Sequence, residues 1–173
     1  MSKFCITSIL IAIITLTAML GATGNTNSAE YLRIHIRANS NSAVDQSVKY
    51  EIKSVIVDYL TPMIANVNSK TEAVNLLENS KVKLEGLIDG VLKNKGLLYK
   101  SNVAVRNEKF PTRVYGDFTL EEGFYDAVIV ELGEAKGDNW WCVIYPPLCF
   151  ADTEKVTYKS KIKEIIAKFK SRA

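Results

Sequence analysis

The stretch from Gly137 to Phe150 constrains this chain most, because Gly-Asp-Asn-Trp-Trp-Cys-Val-Ile-Tyr-Pro-Pro-Leu-Cys-Phe holds both tryptophans, two of the four prolines and two of the three cysteines. Gly137, Asp138 and Asn139 tolerate positive φ and read as a turn. Trp140 to Tyr145 is a run of strong strand formers that stops at Pro146-Pro147. Successive strand residues face opposite sides, so Trp140 and Trp141 cannot enter one core together. One of the two is expected near solvent or beneath a covering segment. An aromatic placed there, beside a proline loop flanked by Cys142 and Cys149, suits a recognition surface. It equally suits a stapled hairpin end with no partner.

Met1-Ser2-Lys3 is a short positive start, Phe4 to Leu20 is an apolar and Thr/Ser run, and Gly21 to Ala29 is small and polar. That order predicts a secretory leader over 1–29, or an N-terminal anchor if it stays uncleaved, ending in a short polar linker. The apolar run is long for a cleaved signal and short for a membrane span. Ala22-Thr23-Gly24 supplies small residues for cleavage, and no cysteine follows the run at a lipid-attachment position. About 145 residues remain, enough for one core. A single domain over 30–152 and a basic amphipathic helix over 153–173 are expected. The formal net charge of +3 is too small to argue for nucleic acid.

Export would place Cys142 and Cys149 in an oxidising compartment, where a disulfide across the proline loop is the leading reading. A reduced buried pair and a metal site are the competing ones. Two cysteines and the single distant His35 make a poor ligand set, so no metal and no cofactor are expected.

Tyr31 to Arg37 alternates as a half-buried strand, with Ile34 and Ile36 inward and Arg33, His35 and Arg37 on the polar face. On that face His35 reads as a surface residue before it reads as a base, since nothing nearby supplies a nucleophile. Ser42 to Asp45 is a capping-box-like start to a helix whose Val44, Val48, Ile52, Val55, Ile56, Tyr59 and Met63 repeat at three and four, ending near Pro62. Ser69-Lys70-Thr71-Glu72 caps a second helical pattern, which runs to Gly96 with a break suggested at Asn79-Ser80. Leu97 to Arg106 and Gly123 to Leu132 read as strands, and Gly133 to Asn139 suits a hairpin from the latter to the Trp-Trp strand. Ser160 to Lys170 sets Ile162, Ile165, Ile166 and Phe169 on one helical face, with lysines elsewhere. A lysine-rich face is a solvated surface or a contact with an anionic membrane. The fold class is therefore α+β: a single domain with a mainly antiparallel sheet of about four strands, two or three helices on it, and the order β-α-α-β-β-β-α.

No phosphate loop, nucleophile elbow, zinc-protease helix or paired-cysteine zinc spacing occurs. Asp117, Asp138 and Glu134 lie near aromatics, which keeps a carboxylate-dependent cell-wall hydrolase as one alternative and a structural envelope protein as another. A binding or signalling role without enzyme activity fits better.

Phe110-Pro-Thr-Arg-Val-Tyr-Gly-Asp-Phe118, Gly123-Phe-Tyr-Asp-Ala127, and Gly133-Glu-Ala-Lys-Gly-Asp-Asn-Trp-Trp-Cys142 through Pro146-Pro-Leu-Cys-Phe150 closely resemble the stage II sporulation protein R family. Arg37-Ala-Asn-Ser40 with Asp45-Gln46 resembles its strand-to-helix entry, although this chain has Asn41, Ser42 and Ala43 where the family commonly has Asp and Ser-Pro. The likeness runs in register from about Leu32 to Phe150. It implies an exported forespore protein, placed in the intermembrane space of the sporulation septum. There it would activate a membrane-embedded aspartic protease of the mother cell, which processes the pro-sigma factor. On this reading the partner is that receptor protease, and the anchor is Trp140 or Trp141 with Tyr145, Pro146 and Pro147. Arg113 and Asp138 would be rim charges, with Tyr115 and Asn139 beside them.

Overall fold

Both long helices start where their caps stand. Ser42 accepts from the Asp45 amide at 3.1 Å and Ser69 from the Glu72 amide at 3.2 Å, opening α1 (Ala43–Ile64) and α2 (Lys70–Asn94). The structure is a computed structural model that describes residues 30–150 and 156–171, without the side chains of 156–160. The expected leader over 1–29 lies outside the described residues. Among the described residues no helix is long and apolar enough to cross a membrane.

In α1 the buried stripe is Val48, Ile52, Ile56, Leu60 and Ile64. The helix passes Pro62 and ends at Ile64, because a proline in the last turn forfeits only one bond near the end of the ladder. The Thr61 hydroxyl adds a bond to the Val57 carbonyl at 2.6 Å. Nor does α2 break at Asn79-Ser80. Ser80 is buried with its hydroxyl donating to the Leu76 carbonyl at 2.7 Å, so its polar group is satisfied inside one 25-residue helix.

The strands are β1 (Leu32–Arg37), β2 (Ser101–Phe110), β3 (Arg113–Tyr115), β4 (Phe118–Leu120), β5 (Gly123–Leu132) and β6 (Asn139–Tyr145). A 3-10 turn (Leu148–Phe150) and α3 (Val156–Lys170) follow. The main sheet has the order β2-β5-β1-β6, with β5 antiparallel to β2, and β1 antiparallel to β6 but parallel to β5. This is the α+β domain expected, with a separate β3-β4 hairpin added.

The expected hairpin between β5 and β6 does not form, because β1 lies between them. Since β1 and β5 run parallel, the segment after β5 must cross the end of β1 to reach β6. It does so in close contact: the Gly137 amide donates to the Ala38 carbonyl at 2.8 Å, the Glu134 amide to Asn39 Oδ1 at 2.9 Å and the Asp138 amide to Asn41 Oδ1 at 2.6 Å. Buried Lys49 closes the latch by donating to the Asp138 carbonyl at 3.0 Å.

At the outer edge of the sheet, α2 covers the start of β2. Asp89 accepts from the Ser101 amide and Glu85 from the Val103 amide, each at 2.8 Å. At the far end, α3 buries Ile162 and Phe169. The Phe169 ring lies 5.4 Å from that of Tyr31 and 6.0 Å from that of Tyr145.

Cys142 and Cys149 are bonded to each other, with their Cα atoms 6.1 Å apart, so the reduced-pair and metal readings give way to the disulfide. The bond holds the 3-10 turn against β6, where the Val143 amide points at Cys149 Sγ from 3.0 Å. Closing so short a loop contributes about 2 to 3 kcal/mol by chain entropy. Cys142→Ala with Cys149→Ala is expected to lower the unfolding free energy by that amount in urea titration, with an m-value at or above the native one because the uncrosslinked unfolded chain is more expanded.

Candidate recognition face

The pleat of β1 divides the sheet. Leu32, Ile34 and Ile36 enter the core with the helices, while Arg33, His35 and Arg37 point to the opposite side. Pairing registers bring Trp141 of β6 beside His35, and Arg106 and Glu108 of β2 onto the same side through β5. This face carries charge and aromatic rings in contact.

Trp141 stacks on His35 with ring centroids 3.6 Å apart and a 19° interplanar angle, and meets the Phe110 edge at 4.9 Å. The Arg113 guanidinium lies 5.8 Å from the Trp141 ring. His35 Nδ1 is 2.8 Å from Glu108 Oε1, the same oxygen that Arg37 Nη2 reaches at 2.6 Å. Arg37 Nη1 donates to Glu131 at 2.7 Å, and Arg106 joins Glu131 at 3.0 Å and Glu108 at 3.1 Å. Two guanidiniums and two carboxylates thus form one network beside the His-Trp stack.

His35 is 2% exposed, so its surface-residue reading is corrected. The strand alternation placed it properly, but the Trp141 ring from β6 and the Phe110 and Glu108 side chains from β2 cover it. Arg33 is buried for the same reason, beneath the β3-β4 hairpin. Burial pushes the His35 imidazole below its ordinary pKa. Burial works to raise the Glu108 carboxyl, yet the hydrogen bonds from His35 and Arg106 and the charge of Arg37 outweigh it and hold it below the usual range. With Glu108 ionised, the 2.8 Å contact requires the proton on His35 Nδ1.

A histidine whose pKa is depressed on folding contributes stability above its unfolded pKa of about 6.5, and this is lost as pH falls through the folded value. Glu108 and Glu131, also depressed, lose theirs at lower pH still. The melting temperature is expected to decline from pH 7.5 to 5. In His35→Phe, which keeps a ring under Trp141, the part of that decline nearest neutrality should vanish. A native profile flat to pH 5 would contradict this account.

The residues singled out by sequence fall in different places. Trp141, Tyr115, Arg113 and Asn139 lie on or beside the open face, the first two half-buried and the last two exposed. Trp140 is half-buried on the opposite side, with Lys53 Nζ 5.8 Å from its ring. The two indoles do divide between faces. Asp138 is exposed and belongs to the crossing latch, where it accepts from Asn41 at 3.3 Å. Tyr145, Pro146 and Pro147 are buried, so the expected rigid proline edge is corrected: the Pro-Pro corner packs inside, pinned by the disulfide and the 3-10 turn.

His35, Arg37, Arg106, Glu108 and Glu131 were missed as a set. Their alternation within each strand is visible, but their meeting depends on a strand order that no local pattern encodes. Asp117 and Glu134 are exposed and ion-paired at 2.7 Å with Lys170 and Lys136. Hydrogen bonds from those lysines hold both carboxyls below the usual range, the opposite of what a general acid needs.

The chain is thus a single α+β domain that keeps one sheet face for a histidine-indole stack and an arginine-glutamate network. The family model of stage II sporulation protein R matches residues 28–155, and the chain belongs to that family. The chain is 31% identical over 121 residues to stage II sporulation protein R of Bacillus subtilis (strain 168). That match covers 70% of this chain and 54% of the relative's length. No solved structure matches the chain.

Proposed function

We propose that this chain is an exported forespore-to-mother-cell signal that activates a membrane-embedded aspartic protease, which then processes the mother-cell pro-sigma factor. In this reading it acts outside the membrane, in the space within the sporulation septum, as a ligand and not as an enzyme. Family membership supports a sporulation role, and the open face supports recognition.

The observation that carries the reading is the preorganised side of the sheet. Trp141 is held flat on His35, and the charges around it are fixed by hydrogen bonds, so a partner meets a surface that needs little ordering. To activate, the ligand must bind the active arrangement of the protease more tightly than the resting one. The test is co-expression of the secreted chain, the receptor protease and the pro-sigma factor in a host that does not sporulate. Processed sigma factor should appear only when all three are present. Processing without this chain, or none with it, would refute the proposal.

A further inference from the structure

We propose that the buried guanidinium of Arg33 is the seat for a carboxylate carried by the protein's partner, reached from the groove between the β3-β4 hairpin and α3. The inference rests on the ligand reading above and adds the chemistry of what is bound.

Arg33 is fully buried; among the described residues its Nη2 donates to the Tyr115 hydroxyl at 2.9 Å, and the Tyr125 hydroxyl also interacts with the guanidinium. Its Nε and Nη1 are buried with no partner. Arg37 and Arg106, on the same side of the sheet, each hold two carboxylates, whereas among the described residues Arg33 holds none. Around it stand aromatic rings: its Cζ lies 4.2 Å from the Phe110 centroid, 4.8 Å from Tyr125 and 5.9 Å from Tyr115. Those rings stabilise the cation through its flat faces. The N–H donors lie in the guanidinium plane, so stacking leaves them unpaired.

Arginine cannot shed its proton to escape such a site. An uncompensated buried charge is strongly unfavourable, and a planar carboxylate is the group whose geometry matches the fork of donors. The free protein therefore holds a site that an acid would complete.

A path to it is present. Tyr115, which covers Arg33, is half-buried and belongs to a hairpin of three residue pairs that forms a sheet of its own. Moving that hairpin breaks few bonds. Tyr115 also lines a groove of about 400 Å³ with Phe118, Leu148, Ile166 and Lys170. The carboxylate in its wall, Asp117, is 84% exposed and already held by Lys170. Apolar walls, a lysine at the rim and an unpaired cation behind Tyr115 specify an acidic residue flanked by apolar ones, in an extended segment of the partner.

The probes are acetyl-Leu-Glu-Leu-amide and its Gln counterpart, titrated against the purified secreted chain by calorimetry. The Glu peptide is expected to bind at least about tenfold tighter, the worth of one charge-assisted hydrogen bond. Arg33→Met should erase that preference while melting no lower than the native protein, because an apolar side chain removes the unpaired charge. Tyr115→Phe, which frees a third donor, should keep or increase it. Equal binding of the two peptides, a preference that survives Arg33→Met, or a clear loss of stability in Arg33→Met would overturn the inference. Free succinate binding as tightly as the peptide would overturn the assignment to a partner segment. The ligand reading fails separately, if peptide preference is found but co-expression yields no processed sigma factor.

Discussion

Trp141→Ala is expected to cut processing of the pro-sigma factor in the co-expression assay by ~30-fold or more, the loss of one hot-spot contact of about 2 kcal/mol. Trp141 is the large aromatic on the open face, and it is braced from below by His35 and at its edge by Phe110. A braced ring loses little freedom when a partner covers it, which is what makes an indole a strong anchor. The informative control is its neighbour. Trp140 lies on the helix side with Lys53, so Trp140→Ala should lower stability while leaving activation near native once the protein is folded. Far-ultraviolet circular dichroism and secretion level separate folding from signalling. If the two variants lose activation equally while both remain folded, the open face is not the docking surface.

Gly137→Val is expected to destabilise the domain by about 3 kcal/mol, lowering the melting temperature by ~10 °C. The reason is the crossing segment and not backbone conformation, since Gly137 is not among the residues with positive φ. A Cβ placed there would run into the Ser40 carbonyl and the Ala38 side chain. Backbone cannot step aside as a flexible side chain would, and the Gly137 amide is committed to the Ala38 carbonyl at 2.8 Å. Gly90 is the counterexample. It sits inside α2 with nothing within 4 Å of an added Cβ, so Gly90→Ala is expected to stabilise by about 0.5 to 1 kcal/mol. Thermal melts of both variants check the pair, and a tolerated Gly137→Val would mean that the two loops are not locked.

What the sequence reveals here is what is encoded locally. Ser42 and Ser69 announce their helices because a cap is settled within four residues, and the alternation of β1 correctly separates Ile34 and Ile36 from Arg33, His35 and Arg37. The fold class and the opposite facing of Trp140 and Trp141 follow from the same short-range rules. Burial of Arg33 and His35 does not. It depends on Tyr115 and Glu108, which stand 82 and 73 positions further along the chain. The insertion of β1 between β5 and β6 has the same character: Gly133 to Asn139 has turn chemistry, and only the sheet order decides that the turn spans a strand. Pro146 and Pro147 misled because proline pairs mark corners without saying which side of a corner faces water.

The carboxylates of Glu85 and Asp89 have one more effect. By occupying the outward amides of Val103 and Ser101, they deny a neighbouring copy the first rungs of a ladder on that border of the sheet. Edge-to-edge addition of a strand is thereby disfavoured where it would begin on that border.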